Sequence, residues 1–305
     1  MIIAPGYIGI DISKDHLDIF DGQARRIANT TAAIGEWMAE LTAPRLVLFE
    51  ATGRYDRHLQ QALTRAGIGF ARVNPLHARA FARATGQLAK TDRIDARLLA
   101  AMAQALTPNP QPPADPERGE LADLHRRRDQ LVGFRQMERT RLHTASPAIA
   151  TGITGHLSWL TAQIKLLEAQ IAALIRRSRT LAMAYALLRS IPGIGPVSAT
   201  VLLALMPELG RRSARTIAAL GGLAPINRDS GQYRGKRSIA GGRAEVRRAL
   251  YMAALTASRS DSRFASTYNT LTGNGKAPKL ALIAVAGKLL VTANAILKSS
   301  KPFTA

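Results

Sequence analysis

The sequence predicts an α/β domain at the N-terminus, followed by a remainder that is mostly helical. Three observations support this fold class. Strand and helix signals alternate over residues 1–106. A proline-rich segment, residues 107–116, then interrupts the chain. Beyond it, apolar residues recur every three or four positions, which is the period of an amphipathic helix.

The first elements predicted are two short strands and a helix. Residues 7–11 and 17–20 have the pattern of strands, and Asp21-Gly22 supplies the turn that follows them. Thr30 or Thr31 then caps a helix that runs to about residue 41, because threonine side chains accept hydrogen bonds from the first free N–H groups of a helix.

The next elements alternate between strand and helix. Residues 45–49 (RLVLF) form a near-continuous apolar run, which is typical of a strand covered on both faces. A helix over residues 55–66 ends at Gly67, a residue suited to the left-handed conformation found there. Residues 68–73 form the next strand. A β-meander followed by β-α-β-α units is the order of an RNase H-like α/β domain.

The proline-rich segment provides the clearest domain boundary. Residues 107–116 contain five of the 15 prolines. Repeated prolines block both helix and sheet, so we predict a stiff linker there. The resulting domains are residues 1–106, a helical coiled-coil region over residues 117–180, and a mostly helical domain over residues 181–305.

The middle region carries a possible coiled-coil seam. Six apolar residues follow one another at alternating spacings of three and four: Leu157, Leu160, Ile164, Leu167, Ile171 and Leu174. The seam is short, so packing within one chain and dimerisation both remain open. A break predicted at residues 146–155 would let two helices fold back on each other.

Composition indicates a polyanionic partner. The chain has 42 Lys and Arg against 21 Asp and Glu, a formal net charge of +21. Such a surface attracts nucleic acid. An anionic membrane is the competing partner, but aromatic residues make up only 5%, and we interpret the apolar residues 280–297 as a buried helix. We expect no membrane association, no signal peptide, and a cytoplasmic, nucleoid-associated protein.

The absence of cysteine excludes several kinds of site. With no cysteine in the chain, disulfides, thiolate zinc sites and cysteine nucleophiles are ruled out. The six histidines are scattered without the spacing of metal ligands.

Basic residues concentrate between residues 211 and 248. Ten Lys and Arg there are opposed only by Asp229 and Glu245. A solvated face is the alternative, but this excess is larger than ordinary surface mixing. The residues predicted to bind nucleic acid are Arg228, Arg234, Lys236, Arg237, Arg243, Arg247 and Arg248.

A glycine-rich turn offers a second candidate contact. Residues 191–195 (IPGIG) resemble the hairpin of a helix-hairpin-helix element, in which backbone N–H groups bind a phosphate. Gly193 and Gly195 are the predicted nucleic-acid contacts. The alternative is a glycine-rich connection between two helices.

The positions of a few acidic residues suggest a metal site. Asp11 lies at the end of the first strand and Glu50 at the end of the RLVLF strand. If these strands are parallel neighbours, the two carboxylates meet at one edge of the sheet. Asp92 and Asp95 share one face of a helix that Thr91 caps, with Ile94, Leu98 and Ala101 anchoring it to the sheet.

These four carboxylates are hard oxygen ligands, which suit Mg²⁺ or Mn²⁺. Two such ions could clamp the attacking and leaving oxygens of a phosphodiester. Each residue also has a structural interpretation, since aspartate favours helix starts and acids at strand ends are commonly solvated.

Seven segments, in chain order, carry a family pattern: YIGIDISKDHLDIF, FEATGRY, NPLHARAFA, KTDRIDARLLA, SIPGIGPVSATVLLA, TIAALGGLAPINRDSG and RRALYMAAL. Together they resemble the DEDD-type transposases of bacterial insertion sequences, which are bridge-RNA-guided recombinases. The resemblance covers essentially the whole chain. KTDRIDA combined with the C-terminal block is highly specific, whereas IGID alone is not.

The resemblance implies that Asp11, Glu50, Asp92 and Asp95 are the metal-binding quartet of a RuvC-like domain. It also implies that Ser230 is a catalytic serine that attacks DNA and holds it as a phosphoserine, in a site shared between two subunits of a dimer or tetramer. A guide (bridge) RNA and donor and target DNA are the implied partners. Where relatives often have Lys, this chain has Ala240, with Arg243 nearby.

Three functions are weighed from the sequence. The leading one is a DNA transposase or recombinase that cuts, exchanges and rejoins strands. The second is a metal-dependent nuclease or junction resolvase that uses water as its nucleophile. The third is an architectural nucleic-acid binder. From the residues alone, Ser230 has the pattern of a turn residue, because Ser-Gly is a common loop dipeptide.

Overall fold

A computed structural model of the chain describes residues 2–51, 53, 55–86, 92–111, 115–226, 229–230, 233–234, 238–260 and 262–304. For residues 92–94, 226, 229, 230, 233 and 234 it describes the backbone only. The chain divides into two compact units, Met1–Ala114 and Asp115–Ala305. This division falls within the proline-rich segment.

The first unit contains a five-stranded sheet of order β3-β2-β1-β4-β5. Strands β1 to β3 are antiparallel, and β1, β4 and β5 are parallel. The turn between β2 and β3 contains Gly22, whose φ of 117° suits glycine. The strands are β1 (Tyr7–Ile12), β2 (His16–Phe20), β3 (Ala24–Ala28), β4 (Leu46–Glu50) and β5 (Phe70–Val73).

Helices cover both faces of this sheet. They are α1 (Thr31–Ala39), α2 (Arg57–Arg65), α3 (Pro75–Ala84) and α4 (Asp92–Leu106). Val47 and Phe49 of β4 share a core with α1 and α2, whereas Leu46 and Leu48 share one with α3 and α4. The prediction that the RLVLF segment is buried on both faces is therefore confirmed, as is the α/β class of this region.

Local signals set the helix boundaries. The Thr30 side chain accepts a hydrogen bond from the N–H of Ala33 at 3.3 Å, so Thr30 is the N-cap of α1. Helix α2 ends before Gly67, which has a φ of 68° as predicted. Strand β3 and helix α3 were not predicted. The sequence of β3, ARRIA, is too polar to indicate a strand, which is typical of an edge position.

The second unit is mostly helical, as predicted. Its helices are α5 (Pro116–Leu142), α6 (Pro147–Arg177), α7 (Arg179–Arg189), α8 (Pro196–Leu205), α9 (Ala214–Leu220), α10 (Ala244–Ala257), α11 (Arg263–Gly273) and α12 (Pro278–Ser299). Between α9 and α10 lie four two-residue strands: β6 (Pro225–Ile226), β7 (Asp229–Ser230), β8 (Tyr233–Arg234) and β9 (Ser238–Ile239).

Helices α5 and α6 form an antiparallel hairpin. Leu131 of α5 packs with Leu160 and Ile164 of the predicted seam, so the seam is in contact with α5 of the same chain. The predicted fold-back of two helices is confirmed, but the break is at residues 143–146 and does not extend to residue 155, because α6 begins at Pro147 and continues through Gly152 and Gly155. An interior glycine costs a helix about 1 kcal/mol relative to alanine, which lowers helix propensity without ending the helix.

The helices of the second unit share one hydrophobic core, to which α12 contributes its buried face. Among the described residues, α12 is the one helix long and apolar enough to cross a membrane by composition. Its residues Val285, Ala286 and Leu289 are fully buried in the core. This agrees with the interpretation of residues 280–297 as a buried helix.

Buried His125 makes the second unit sensitive to pH. The side chain is 3% exposed, and burial lowers the pKa of His125 below 6.5. Below pH 6.5 the unfolded chain binds a proton that the folded chain does not, so the stabilisation present above pH 6.5 is lost as the pH falls toward the folded pKa.

At pH values below 6.5, we expect the free energy of unfolding to decrease with falling pH more steeply in the wild type than in His125→Leu. The difference between the two slopes should be up to about 1.4 kcal/mol per pH unit. Urea titrations at several pH values measure this difference. The exposed His143→Gln variant is the control and should match the wild type. Equal pH slopes for the wild type and His125→Leu would contradict the expectation.

Candidate active site

Asp11 and Glu50 lie side by side at one edge of the sheet. Strands β1 and β4 are parallel, with Gly9 opposite Leu48 and Ile10 opposite Phe49. Continuing this register by one residue places Asp11 opposite Glu50. Because side chains alternate along a strand, Asp11 shares the face of Gly9, and Glu50 shares the face of Leu48. That face is the one covered by α4.

Helix α4 runs antiparallel to β1. Near its C-terminal end, the Gln104 side chain bonds to the N–H of Ala4 and the carbonyl of Ile2, which precede β1. Further toward its start, the backbone at Ala96 lies against Gly9. The first turn of α4 therefore lies toward the C-terminal end of β1, where Asp11 is located.

That first turn contains the two predicted helical acids. Helix α4 begins at Asp92, and Asp95 is in its first turn. Leu98 and Ala101 are buried, as the sequence predicted. Thr91, the predicted cap, lies outside the described residues, and the side chains of Asp92 and Ile94 are outside them too.

Asp11, Glu50 and Asp95 are all partly exposed, and each takes part in further polar or electrostatic interactions. Within the described side chains, no three His, Asp or Glu residues are grouped closely enough to hold a metal ion. Asp92 is not among those side chains. The backbone places Asp11 opposite Glu50 and the first turn of α4, which contains Asp92 and Asp95, toward the same end of β1, but the described side chains do not form a metal-binding group.

Gly9 allows α4 to approach the sheet. A Cβ atom at this position would lie 2.0 Å from the carbonyl oxygen of Ala96 and 2.3 Å from the nitrogen of Ala100. Both atoms belong to the helix backbone, which cannot rotate away as a side chain could. Any side chain at position 9 would therefore push the start of α4 away from Asp11.

We expect Gly9→Ala to destabilise the chain by about 3 kcal/mol and to weaken Mn²⁺ binding. Urea unfolding and Mn²⁺ titration measure the two effects. Gly35→Ala is the matched control, because Gly35 is in α1 with nothing within 4 Å of the added Cβ. This control should stabilise the chain by up to about 1 kcal/mol. A Gly9→Ala protein as stable as the wild type would contradict the expectation.

A third carboxylate in the sheet was missed by sequence reasoning. Asp18 of β2 pairs with Asp11 across the strands and is 3% exposed. Arg26 binds both of its oxygens, with Nε at 2.9 Å and Nη2 at 2.8 Å. Like charges directly opposite each other destabilise a sheet, and Arg26 offsets this. Pairing the two predicted strands as a hairpin would have shown that Asp18 faces Asp11.

The predicted serine lies in the short β7 strand. Ser230 pairs with Tyr233 of β8, and only its backbone is described. Arg228, Lys236 and Arg237 lie outside the described residues, and the side chain of Arg234 does as well. The nucleic-acid contacts predicted for these four cations stay predictions.

The other three predicted cations make contacts inside the second unit. Arg243 binds both carboxylate oxygens of Glu208, at 2.7 and 2.6 Å. Arg247 donates to the carbonyl of Gly241 at 2.8 Å, and Arg248 forms an ion pair with Asp129. Each of these three cations therefore has a partner within the second unit, which a count of charges does not reveal, and the nucleic-acid contacts predicted for them stay predictions.

The contact with Arg243 shifts the pKa of Glu208. Burial alone would raise the pKa of Glu208. The hydrogen bonds and positive charge of Arg243 outweigh burial and lower the pKa of Glu208 below its usual value. Glu208 is therefore ionised at neutral pH.

The glycine-rich turn connects α7 to α8. Gly193 has a φ of 86°, and a Cβ there would lie 2.5 Å from the carbonyl oxygen of Ala253 in α10. Gly195 is the N-cap of α8, and Arg189 donates to the carbonyl of Ile194 at 2.8 Å. The close packing of Gly193 against α10 accounts for a glycine in this connection between two helices. Phosphate binding by Gly193 and Gly195 remains a prediction.

Comparison with known proteins covers both units. A family model for transposases of the IS110 DEDD type matches residues 8–146, and a model of the transposase IS116/IS110/IS902 family matches residues 185–269. The pilin gene-inverting proteins of Moraxella lacunata and Moraxella bovis are each 29% identical over 313 residues, which cover 97% of this chain and 97% of theirs.

A partial match links the chain to a named insertion element. An uncharacterized 43.6 kDa protein of insertion element IS110 from Streptomyces coelicolor is 29% identical over 154 residues. The matched region covers 50% of this chain and 36% of that protein. The family models and these relatives all concern mobile elements or gene inversion.

Proposed function

Because the chain belongs to the IS110 family of DEDD-type transposases and is a DNA recombination enzyme, we propose that its first unit is a RuvC-like domain that binds a divalent metal. Asp11, Glu50, Asp92 and Asp95 are the proposed ligands. The observation that carries this proposal is the parallel register of β1 and β4, which sets Asp11 beside Glu50 on the face covered by α4.

The chemistry of the four side chains fits Mg²⁺ or Mn²⁺. All are carboxylates, and the chain has no cysteine to favour a softer metal. Asp18 lies opposite Asp11 on the same face of the sheet, and Arg26 binds both of its carboxylate oxygens and so offsets its negative charge there. A bound divalent ion would act as a Lewis acid on the phosphate oxygens and stabilise developing negative charge.

The proposed nucleophile is Ser230. Its hydroxyl oxygen attacks the phosphorus of a DNA phosphodiester. The new bond joins serine to phosphorus as the bond from phosphorus to one deoxyribose oxygen breaks. The serine proton passes to a base, and the leaving oxygen accepts a proton. The reverse reaction, with the hydroxyl of another strand, rejoins DNA and restores serine, so one phosphodiester replaces another.

The proposed partners follow from the same family and from charge. Donor and target DNA are the substrates, and a guide (bridge) RNA supplies sequence specificity by base pairing. The net charge of +21 favours both polyanions. The enzyme works in the cytoplasm as a homo-oligomer, a dimer or a tetramer, with the α5–α6 hairpin as its coiled-coil region.

A nuclease or junction resolvase that uses water as nucleophile is the second candidate function. The observation in its favour is that Asp11 and Glu50 are neighbours on β1 and β4 within the first unit, so this candidate function requires no residue of the second unit. This candidate and the recombinase differ in whether protein becomes attached to DNA.

Trapping the attached product tests the proposed function. The purified protein is incubated with Mg²⁺, its guide RNA and labelled DNA carrying the ends of the parent element, and denatured in detergent. We expect DNA to remain covalently bound, and mass spectrometry of the digest to place a nucleotide on the peptide that contains Ser230. Cleaved DNA with free ends and no attached peptide would instead support the nuclease.

A further inference from the structure

The segment that carries Ser230 connects α9 to α10, and its two ends lie at one place in the helical unit. At this place β6 and β9 pair, with Pro225 opposite Ile239 and Ile226 opposite Ser238. The two ends of the segment are therefore adjacent, and we call this crossing, formed by residues 220–226 and 238–243, the neck.

Two glycines bring the two sides of the neck into backbone contact. A Cβ on Gly242 would lie 2.2 Å from the nitrogen and 2.4 Å from the Cα of Gly222. Both glycines have positive φ, 66° for Gly222 and 64° for Gly242. The N–H of Arg243 also bonds to the carbonyl of Leu220 at 2.9 Å. No side chain fits between the two backbones.

Two arginines hold the returning side of the neck. Arg243 forms its paired bonds to Glu208 in the turn after α8, and Arg247 bonds to the carbonyl of Gly241. Paired bonds between a guanidinium and a carboxylate fix orientation as well as distance. The neck is therefore held by the turn after α8, through the bonds between Arg243 and Glu208. It is also held by the first turn of α10, through the bond from Arg247 to Gly241.

The outgoing side of the neck is held by the core. Leu223 is 5% exposed and belongs to the main core of the unit. Gly221 lies so close to α12 that a Cβ there would be 2.4 Å from Leu290. Both ends of the segment thus begin from fixed positions.

We propose that Glu208 and Arg243 are positioning residues that fix the neck and, through it, the place of Ser230 in the reaction. This inference rests on the proposed role of Ser230. It assigns Arg243 a function different from direct phosphate contact, which the sequence alone had suggested. The two roles predict different results for Glu208→Gln. If Arg243 positions the segment, covalent DNA attachment slows and DNA affinity stays the same; if Arg243 contacts phosphate, DNA binding strengthens and attachment does not slow.

The test compares Glu208→Gln, Arg243→Gln and the double variant. If the ion pair positions the segment, each single variant should lower the rate of covalent DNA attachment at saturating DNA by about tenfold, and the double variant should be no worse than either single variant, because residues in one contact are not additive. DNA affinity of Glu208→Gln should stay within about twofold of the wild type.

A second readout does not depend on catalysis. Trypsin cleavage between residues 228 and 237, followed by mass spectrometry without DNA, should be about fivefold faster in each single variant than in the wild type. The matched control is the exposed pair Glu120 and Arg177, whose Glu120→Gln and Arg177→Gln variants should leave attachment and proteolysis unchanged.

Two outcomes would overturn the proposal. If Arg243 is a phosphate contact, Glu208→Gln releases it and strengthens DNA binding without slowing attachment. If the segment is cleaved by trypsin at the wild-type rate in both single variants, the Glu208–Arg243 pair does not fix the neck, and the proposal is refuted. Failure of the proposed function would be seen in a different experiment. If Ser230 is not the nucleophile, Ser230→Ala retains covalent DNA attachment, and the trypsin results for the Glu208 and Arg243 variants do not change.

Discussion

Asp11→Asn will abolish DNA strand cleavage while DNA binding is kept or strengthened. Asparagine preserves the size of the side chain but removes a negative charge from the edge of the sheet shared with Glu50. Loss of a charged metal ligand should lower cleavage on the order of a thousandfold or more. DNA affinity should not fall, because the substitution makes the protein more positive. Cleavage of labelled DNA and an anisotropy titration measure the two effects.

Asp15→Asn is the matched control for this experiment. Asp15 is exposed in the turn between β1 and β2, and its substitution removes the same charge from a position four residues away. It should cleave DNA at the wild-type rate. An Asp11→Asn protein that cleaves DNA at the wild-type rate would contradict the proposed metal site.

Ser230→Ala will eliminate covalent attachment of the protein to DNA. The substitution removes a single oxygen atom, and no other group can then form the phosphoserine bond. The rate of attachment should fall by about three orders of magnitude or more, as for other nucleophiles that act within a catalytic unit. DNA binding and Mn²⁺ binding should be unchanged, because the proposed metal ligands are in the first unit. Detergent gels of labelled DNA measure attachment.

The control for this variant is Ser238→Ala, at an exposed position of β9 in the same segment. It should attach DNA normally. If Ser230→Ala still cuts DNA with Mg²⁺ and releases free ends, water is the nucleophile and the enzyme is a nuclease or resolvase.

Much of the first unit could be predicted because its signals are local. The RLVLF run, the Thr30 cap and the stop at Gly67 each depend on neighbouring residues, and each is found in the structure. Strand β3 was missed because its sequence satisfies the polar edge of a sheet and not a buried strand. The role of Arg26 in β3 is evident only from the pairing of β2 with β3, which places Asp18 opposite it.

The contacts of the basic residues could not be predicted from their number. Arg243 and Glu208 are 35 residues apart, and Arg248 and Asp129 are 119 apart. No periodicity joins such positions. Their pairing depends on how α5, α8 and α10 pack, which is a property of the whole core. The same dependence explains why Gly222 and Gly242, both unremarkable in sequence, mark the neck.

The most direct test of the metal site uses ferrous iron in place of Mg²⁺. With ascorbate and peroxide, bound iron cleaves the polypeptide close to its own ligands. If Asp11, Glu50, Asp92 and Asp95 share one cation, fragments should end near residues 11, 50 and 92–95 together, and both excess Mg²⁺ and Asp95→Asn should suppress them. Cuts at other positions, or the same cuts in Asp95→Asn, would contradict a shared site at this edge of the sheet.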